Sequence, residues 1–159
     1  MSKNTQAIIY DDKLQKWFAD VKHSYDCIIV DITKYAPFDV LRNVMIDLDE
    51  TILYRTNNQI PYSIEFIKIL NLYFNVYFVS GRIDVGERRK ETIHDIINYK
   101  YTKLLMRPLG EAHATFKLRI KKEINAIFSV GDQLTDYPEY LIPNPFYTID
   151  AAGDEHIIE

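Results

Sequence analysis

Residues 43–52 read Asn43-Val44-Met45-Ile46-Asp47-Leu48-Asp49-Glu50-Thr51-Ile52. A short apolar run that ends in two acids and a threonine has the pattern of a buried strand opening into a chemically loaded loop. The pattern recurs downstream. Val76-Tyr77-Phe78-Val79 leads into Ser80-Gly81-Arg82, and Ala126-Ile127-Phe128-Ser129-Val130 leads into Gly131-Asp132-Gln133-Leu134-Thr135-Asp136. Working outward, apolar runs predict strands over 26–32, 43–48, 75–80, 103–106, 125–130 and 146–149. Amphipathic spacing predicts helices over 12–22, 61–74, 84–99 and 114–124, the second opening with Pro61 in its first turn. Alternating strands and helices predict an α/β fold: a Rossmann-like three-layer sandwich, with a mainly parallel central sheet and helices on both faces. Ligands in such folds collect at the carboxyl ends of the strands, where the three loaded segments lie.

The chain's 159 residues suit one domain, and 47% apolar with 26% charged residues is the composition of a packed globular protein. Residues 1–159 are therefore read as a single domain, with 1–43 as an N-terminal extension. One cysteine, Cys27, permits no intrachain disulfide and no multi-cysteine zinc site; inside Cys27-Ile28-Ile29-Val30 it reads as a small buried apolar residue. No basic-then-apolar leader opens the sequence, and no apolar run approaches the roughly 20 residues that span a bilayer. A cytoplasmic protein without membrane contact is expected, and an oligomer is not indicated.

Several carboxylates at one sheet edge repel one another unless a cation neutralises them. The usual partner of clustered oxygen ligands beside phosphate is Mg2+. Phosphoryl transfer needs an oxygen nucleophile, a cation, donors around the phosphoryl oxygens and a proton for the leaving group. Asp47 can attack phosphorus, Asp49 can give and take the proton, and Asp132 with Asp47 can hold the metal. Ser80 and nearby backbone N–H groups can donate to the phosphoryl oxygens, while Lys117 offsets negative charge. Asp136 reads either as a further ligand or as the cap of the short segment around it.

Val-Met-Ile-Asp47-Leu-Asp49-Glu-Thr51, Ser80, Lys117 and Gly131-Asp132-x-x-x-Asp136 together resemble the four motifs of the haloacid dehalogenase superfamily, over residues 44–136. The resemblance implies Mg2+ dependence and an aspartyl-phosphate intermediate. It casts Asp47 as nucleophile and metal ligand, and Asp49 as acid and base with its backbone carbonyl on the metal. Thr51 becomes a supporting hydroxyl, Ser80, Gly81 and Lys117 phosphate binders, Asp132 a ligand, and Asp136 a ligand directly or through water. Lys121 and Lys122, one helical turn beyond Lys117, compete for its place. An acid at Asp49 favours phosphatase or mutase chemistry over dehalogenation. Gly-Asp-Gln-x-x-Asp after the basic segment from Lys117 is similar to the acid phosphatase branch. Ser80-Gly81-Arg82 and Leu105-Met106-Arg107 are similar to polynucleotide phosphatases.

Substrate choice in that superfamily usually resides in cap domains, yet only 28 residues lie between Thr51 and Ser80 and 36 between Ser80 and Lys117. A capless, open site is expected, with the N-terminal extension serving as a lid or as edge cover. The net charge of −4 is uneven: 81–130 carry eleven basic and six acidic residues, whereas 131–159 carry seven acids and no Lys or Arg. The basic stretch, Arg82 foremost as a bidentate phosphate clamp, suggests a nucleotide or nucleic-acid terminal phosphate as substrate. A sugar or other metabolite phosphate, and a non-catalytic binding module, are the alternatives. Tyr54 is the aromatic placed to meet a base or leaving group. His113 reads as surface with a possible substrate contact, and Trp17 as a packing anchor.

Overall fold

A computed structural model describes residues 2–54 and 58–158, with side chains described from residue 12 except at 55–57. Helix α1 (Ser2–Asp31) is followed by a 3-10 turn (Ile32–Tyr35), strand β1 (Arg42–Ile46), helix α2 (Ser63–Tyr73) and strand β2 (Phe74–Ile83). Helix α3 (Gly86–Asp95), strand β3 (Lys103–Arg107), helix α4 (His113–Glu123) and strand β4 (Phe128–Gly131) come next. A 3-10 turn (Leu134–Asp136) and three short strands, β5 (Tyr140–Leu141), β6 (Tyr147–Ile149) and β7 (Glu155–Ile157), complete the chain.

Five strands form one parallel sheet in the order β3-β2-β1-β4-β5. The chain winds from β1 outward through β2 to β3, then returns across β1 to β4. The crevice between the carboxyl ends of β1 and β4 is therefore the topological switch point. Register aligns those ends: Ile46 pairs with Phe78 on one side and Val130 on the other. Asp47 continues the ladder by donating its N–H to the Val130 carbonyl at 2.9 Å.

Side chains alternate across the sheet with the period of two that strands impose. Val44, Ile46, Val76 and Phe78 join the larger core cluster with residues of α1, α2 and the segment after α3. Met45 and Val79 point to the other face and pack with Phe116 and Ile120 of α4. The result is the helix–sheet–helix sandwich expected from the alternating pattern.

Two elements differ from expectation. Residues 26–32 are the end of α1 and its 3-10 turn, not a strand. Trp17, Val21, Tyr25, Ile28 and Ile32 are all buried, at intervals of three and four, so one helical stripe runs through the apolar run that looked strand-like. Burying aliphatic members such as Val21 and Ile28 contributes about 1.5–3 kcal/mol each. Cys27 falls between stripe positions and is exposed, not buried. Over its described side chains, α1 packs into the core rather than over the sheet edge that carries the acids. The second difference is 146–149, whose strand β6 leaves the main sheet and pairs antiparallel with β7 in a separate hairpin. No helix among the described residues is long and apolar enough to cross a membrane.

Candidate active site

Asp47, the first residue beyond β1, lies 8% exposed at the switch point. Its Oδ1 accepts from the Lys117 ammonium at 2.7 Å, and its Oδ2 from the Thr51 hydroxyl at 3.2 Å. Thr51 Oγ1 also lies 3.4 Å from Asp132 Oδ1. The loop is held from behind, where the buried Tyr25 hydroxyl donates to the Thr51 carbonyl at 2.6 Å and Tyr99 reaches the Ile52 carbonyl at 3.1 Å. Helix α1 and the segment after α3 thus fix the turn that aims Asp47 and Thr51.

Lys117, on α4 and fully buried, is the lysine that lies beside Asp47. Its Nζ contacts Asp47 Oδ1, Asp136 Oδ1 at 2.8 Å and the Val79 carbonyl at 2.7 Å. Lys121 turns instead to Glu139 and the Tyr137 carbonyl. Asp136 combines both readings made for it: Oδ1 meets Lys117 while Oδ2 accepts the Gln133 N–H at 3.0 Å and caps the 3-10 turn. The Asp136 side chain also explains Gly131, where a Cβ would stand 2.3–2.6 Å from it.

Oxygens of Asp47, Asp132 and Asp136 can all lie within 4.8 Å of one another, and all three residues are buried. Burial, then Asp47 and Asp136, pushes the Asp132 carboxyl well above the usual range. Asp136 is pushed up to about 6 by burial and Asp47, against the opposing pull of Lys117. Burial works against the Lys117 charge, but Asp136 and Asp47 outweigh it and raise its pKa. Three carboxylates and one ammonium leave a negative surplus in a desolvated pocket, and all the donors are hard oxygens. That donor set fits a divalent cation such as Mg2+.

Asp49 faces elsewhere. Its side chain is 34% exposed and its two oxygens are taken by Arg82, Oδ1 by Nη2 at 2.7 Å and Oδ2 by Nε at 3.0 Å. Arg82 is buried and reaches Asp95 at 2.6 Å on its other side, so its guanidinium is engaged by carboxylates rather than held out as a phosphate clamp. Ser80 is fully buried, and its Oγ accepts the Arg82 backbone N–H at 3.0 Å.

A cavity of about 350 Å³ opens over Asp47, Asp49, Gly81, Lys117, Asp132 and Asp136. Thr51 and Ser80 lie beneath its lining. Further walls come from Arg88, His113 and the β6–β7 hairpin through Tyr147, Ile149 and Glu155. The His113 ring fills the space beside Gly81 and Gly153, where any Cβ would collide with it at 2.3 and 2.6 Å. Burial, with Arg107 and Lys117 nearby, pushes His113 down to about 4, so it is neutral at pH 7. Tyr54 is not at the mouth: it is 7% exposed and packs against Trp17, Phe18 and Phe146.

Sequence reasoning assigned no role to three residues that shape the site. Gln133 Nε2 donates to Asp132 Oδ2 at 2.9 Å and to the Tyr147 carbonyl, while its Oε1 accepts the Ile149 N–H at 2.8 Å. It thereby ties the hairpin to the acid cluster. Asn144 donates to Asp132 Oδ2 at 2.6 Å and accepts the Phe146 N–H at 2.9 Å. Its signal was the Pro143-Asn144-Pro145 turn, where an Asn side chain commonly bonds backbone two residues on. Glu50, 1% exposed, also lines the cavity.

No family model matches the chain, and no curated protein matches it in sequence.

Proposed function

We propose that the protein is a Mg2+-dependent phosphomonoester hydrolase of the haloacid dehalogenase type, acting through a phosphorylated Asp47. The observation that carries this reading is the cluster of Asp47, Asp132 and Asp136 around Lys117, beside an open cavity at the switch point. Asp47, Asp132 and Asp136 would hold the cation, with the Asp49 carbonyl as a further ligand by resemblance. When bound, Mg2+ supplies charge neutralisation for the phosphoryl oxygens and the acid cluster.

The chain's own groups do the rest. Asp47 offers one carboxylate oxygen to phosphorus, and Lys117 keeps the nucleophile from repelling the dianion. Gly81 lines the cavity wall, and its lack of a side chain makes room for the His113 ring packed against it. Asp49 serves as proton donor to the leaving oxygen and as acceptor from water. Thr51, beneath the cavity, and Gln133, in its wall, hold the carboxylates in place.

Two substrate classes remain in view, and one observation ranks them. Part of the basic stretch is neutralised by its own acids: Arg88 pairs with Glu91, Arg89 with Asp84, Lys90 with Glu87, and Arg119 with Glu111 and Glu123. Local pairing weakens the field that would steer a long polyanion. A compact phosphomonoester, such as a mononucleotide or metabolite phosphate, fits the cavity better than a polymer, with a nucleic-acid end as the second reading.

The test is p-nitrophenyl phosphate hydrolysis with Mg2+ and with chelator. Wild-type turnover that requires the cation and vanishes in Asp47→Asn supports the reading; undiminished turnover in Asp47→Asn refutes it. A side-by-side panel of mononucleotides, sugar phosphates and phosphorylated DNA and RNA ends then ranks the substrates.

A further inference from the structure

We propose that Arg82 is a positioning residue that holds the Asp49 carboxylate in its working orientation, buttressed by Asp95 and Thr92 of α3. The proposal rests on the phosphatase reading above and gives Arg82 a task different from phosphate binding.

The geometry has two halves. Toward the cavity, Nη2 and Nε of Arg82 meet the two oxygens of Asp49 at 2.7 and 3.0 Å, the side-on fork that matches a carboxylate. A carboxylate gripped at both oxygens cannot rotate about its last bond without breaking a charge-assisted hydrogen bond. Away from the cavity, Nη1 donates to Asp95 Oδ2 at 2.6 Å and to Thr92 Oγ1 at 3.1 Å. Thr92 Oγ1 spends its own hydrogen on the Arg88 carbonyl at 2.8 Å, which leaves its lone pairs for the guanidinium. The Arg82 side chain is only 2% exposed, so packing also prevents it from swinging. A chain of contacts thus runs from α3 through Arg82 to a partly exposed Asp49 in the cavity wall.

Both halves of the proposed reaction depend on where the Asp49 oxygens point. In the first, an Asp47 oxygen bonds to phosphorus, the bond to the leaving oxygen breaks, and that oxygen takes a proton from Asp49. In the second, a water oxygen bonds to phosphorus, Asp49 takes the water's proton, and the Asp47–phosphorus bond breaks to restore the carboxylate and free phosphate. Misplacing a catalytic group by about 1 Å typically costs on the order of 100-fold in rate. Substrate binding, which Asp49 does not dominate, would be little changed.

Arg82→Lys separates geometry from charge, because lysine keeps the cation and loses the fork. Steady-state kinetics on p-nitrophenyl phosphate with Mg2+ would compare it with Arg82→Gln, Asp95→Asn and the control Arg89→Ala. The expected result is a kcat lowered about 10-fold in Arg82→Lys and about 100-fold in Arg82→Gln, with KM within about twofold of wild type. Asp95→Asn should lower kcat several-fold, Arg89→Ala should match wild type, and the Mg2+-induced rise in Tm should persist in all four. Wild-type kcat in Arg82→Lys overturns the proposal, and so does a raised KM at unchanged kcat, which would mark Arg82 as a phosphate binder. If Arg82→Gln does not fold, Arg82→Lys and Asp95→Asn decide. A wild-type protein without Mg2+-dependent turnover would instead overturn the phosphatase reading itself, and this proposal with it.

Discussion

The Lys117 ammonium lies 2.7 Å from Asp47 Oδ1, joining the middle of α4 to the end of β1 in a pocket where both groups are buried. The same ammonium holds Asp136 at 2.8 Å, so one cation is set against three carboxylates. Removing one partner of a buried ion pair leaves uncompensated charge, which typically costs about 3–5 kcal/mol. Lys117→Met should therefore lose stability of that order in urea unfolding with chelator present. Mg2+ should recover part of the loss, because a cation that binds only the folded state stabilises it by mass action. Equal stability of Lys117→Met and wild type in chelator would contradict this electrostatic account.

Gly131 ends β4 and faces Asp136 across too short a gap for any side chain. A Cβ there would meet not only the Asp136 carboxylate but also its Cβ at 2.5 Å, an atom that cannot move without the backbone. Gly131→Ala should lower stability by about 1–3 kcal/mol, the usual range for overpacking. It should also weaken the Mg2+-induced rise in Tm by displacing a ligand. Thermal unfolding with and without Mg2+ reads both effects, and an unchanged Mg2+ response would remove Asp136 from the cation site.

His113 gives a pH dependence of definite sign. Its pKa is lowered from 6.5 to about 4 in the folded protein, chiefly by burial. Above pH 6.5 it is neutral in both the folded and unfolded chain and has no effect. Between about 6.5 and 4 the unfolded chain binds the proton first, so stability declines as pH falls through that window. Unfolding free energies of wild type and His113→Asn should converge in slope above pH 7 and diverge below 6, with the variant declining less. Parallel profiles down to pH 4 would show that the ring protonates freely in place.

Cys27 is exposed on α1, beside His23 at 3.5 Å. Native protein should therefore react with one equivalent of a thiol reagent such as dithionitrobenzoate, without denaturant and without change in its far-ultraviolet circular dichroism. A thiol that reacts only after unfolding would place Cys27 in the core.

The strands that build the site were legible because β1, β2 and β4 are buried on both faces and so read as unbroken apolar runs. Asp47 and Asp132, the residues just beyond β1 and β4, and Ser80 within β2 stand where polarity returns, and a parallel sheet brings such positions to one edge. Residues 26–32 misread because Cys27-Ile28-Ile29-Val30 is apolar over too short a window to show a period; only its continuity with Trp17, Val21 and Tyr25 reveals a helix. Tyr54 misread because closeness in sequence to Thr51 says nothing about which way a turn points its ring. Arg82 was legible as a site residue but not in its partners: Asp95, thirteen residues on, comes within reach only when α3 folds back beside β2.

The order of apolar runs and acids along the chain therefore determined the parallel α/β sheet and the edge at which Asp47, Asp132 and Asp136 meet, because strand periodicity and burial are local properties. Which lysine enters that cluster, which way Asp49 faces and which hairpin walls the cavity were decided by tertiary packing. Those choices depend on distances between segments far apart in sequence. Lys117 rather than Lys121 meets Asp47 because it lies on the face of α4 turned toward β1 and β2, next to Phe116 and a turn before Ile120. Asn144 finds Asp132, and Gln133 finds the Tyr147 carbonyl and the Ile149 N–H, only after the chain beyond β5 has turned back over the switch point.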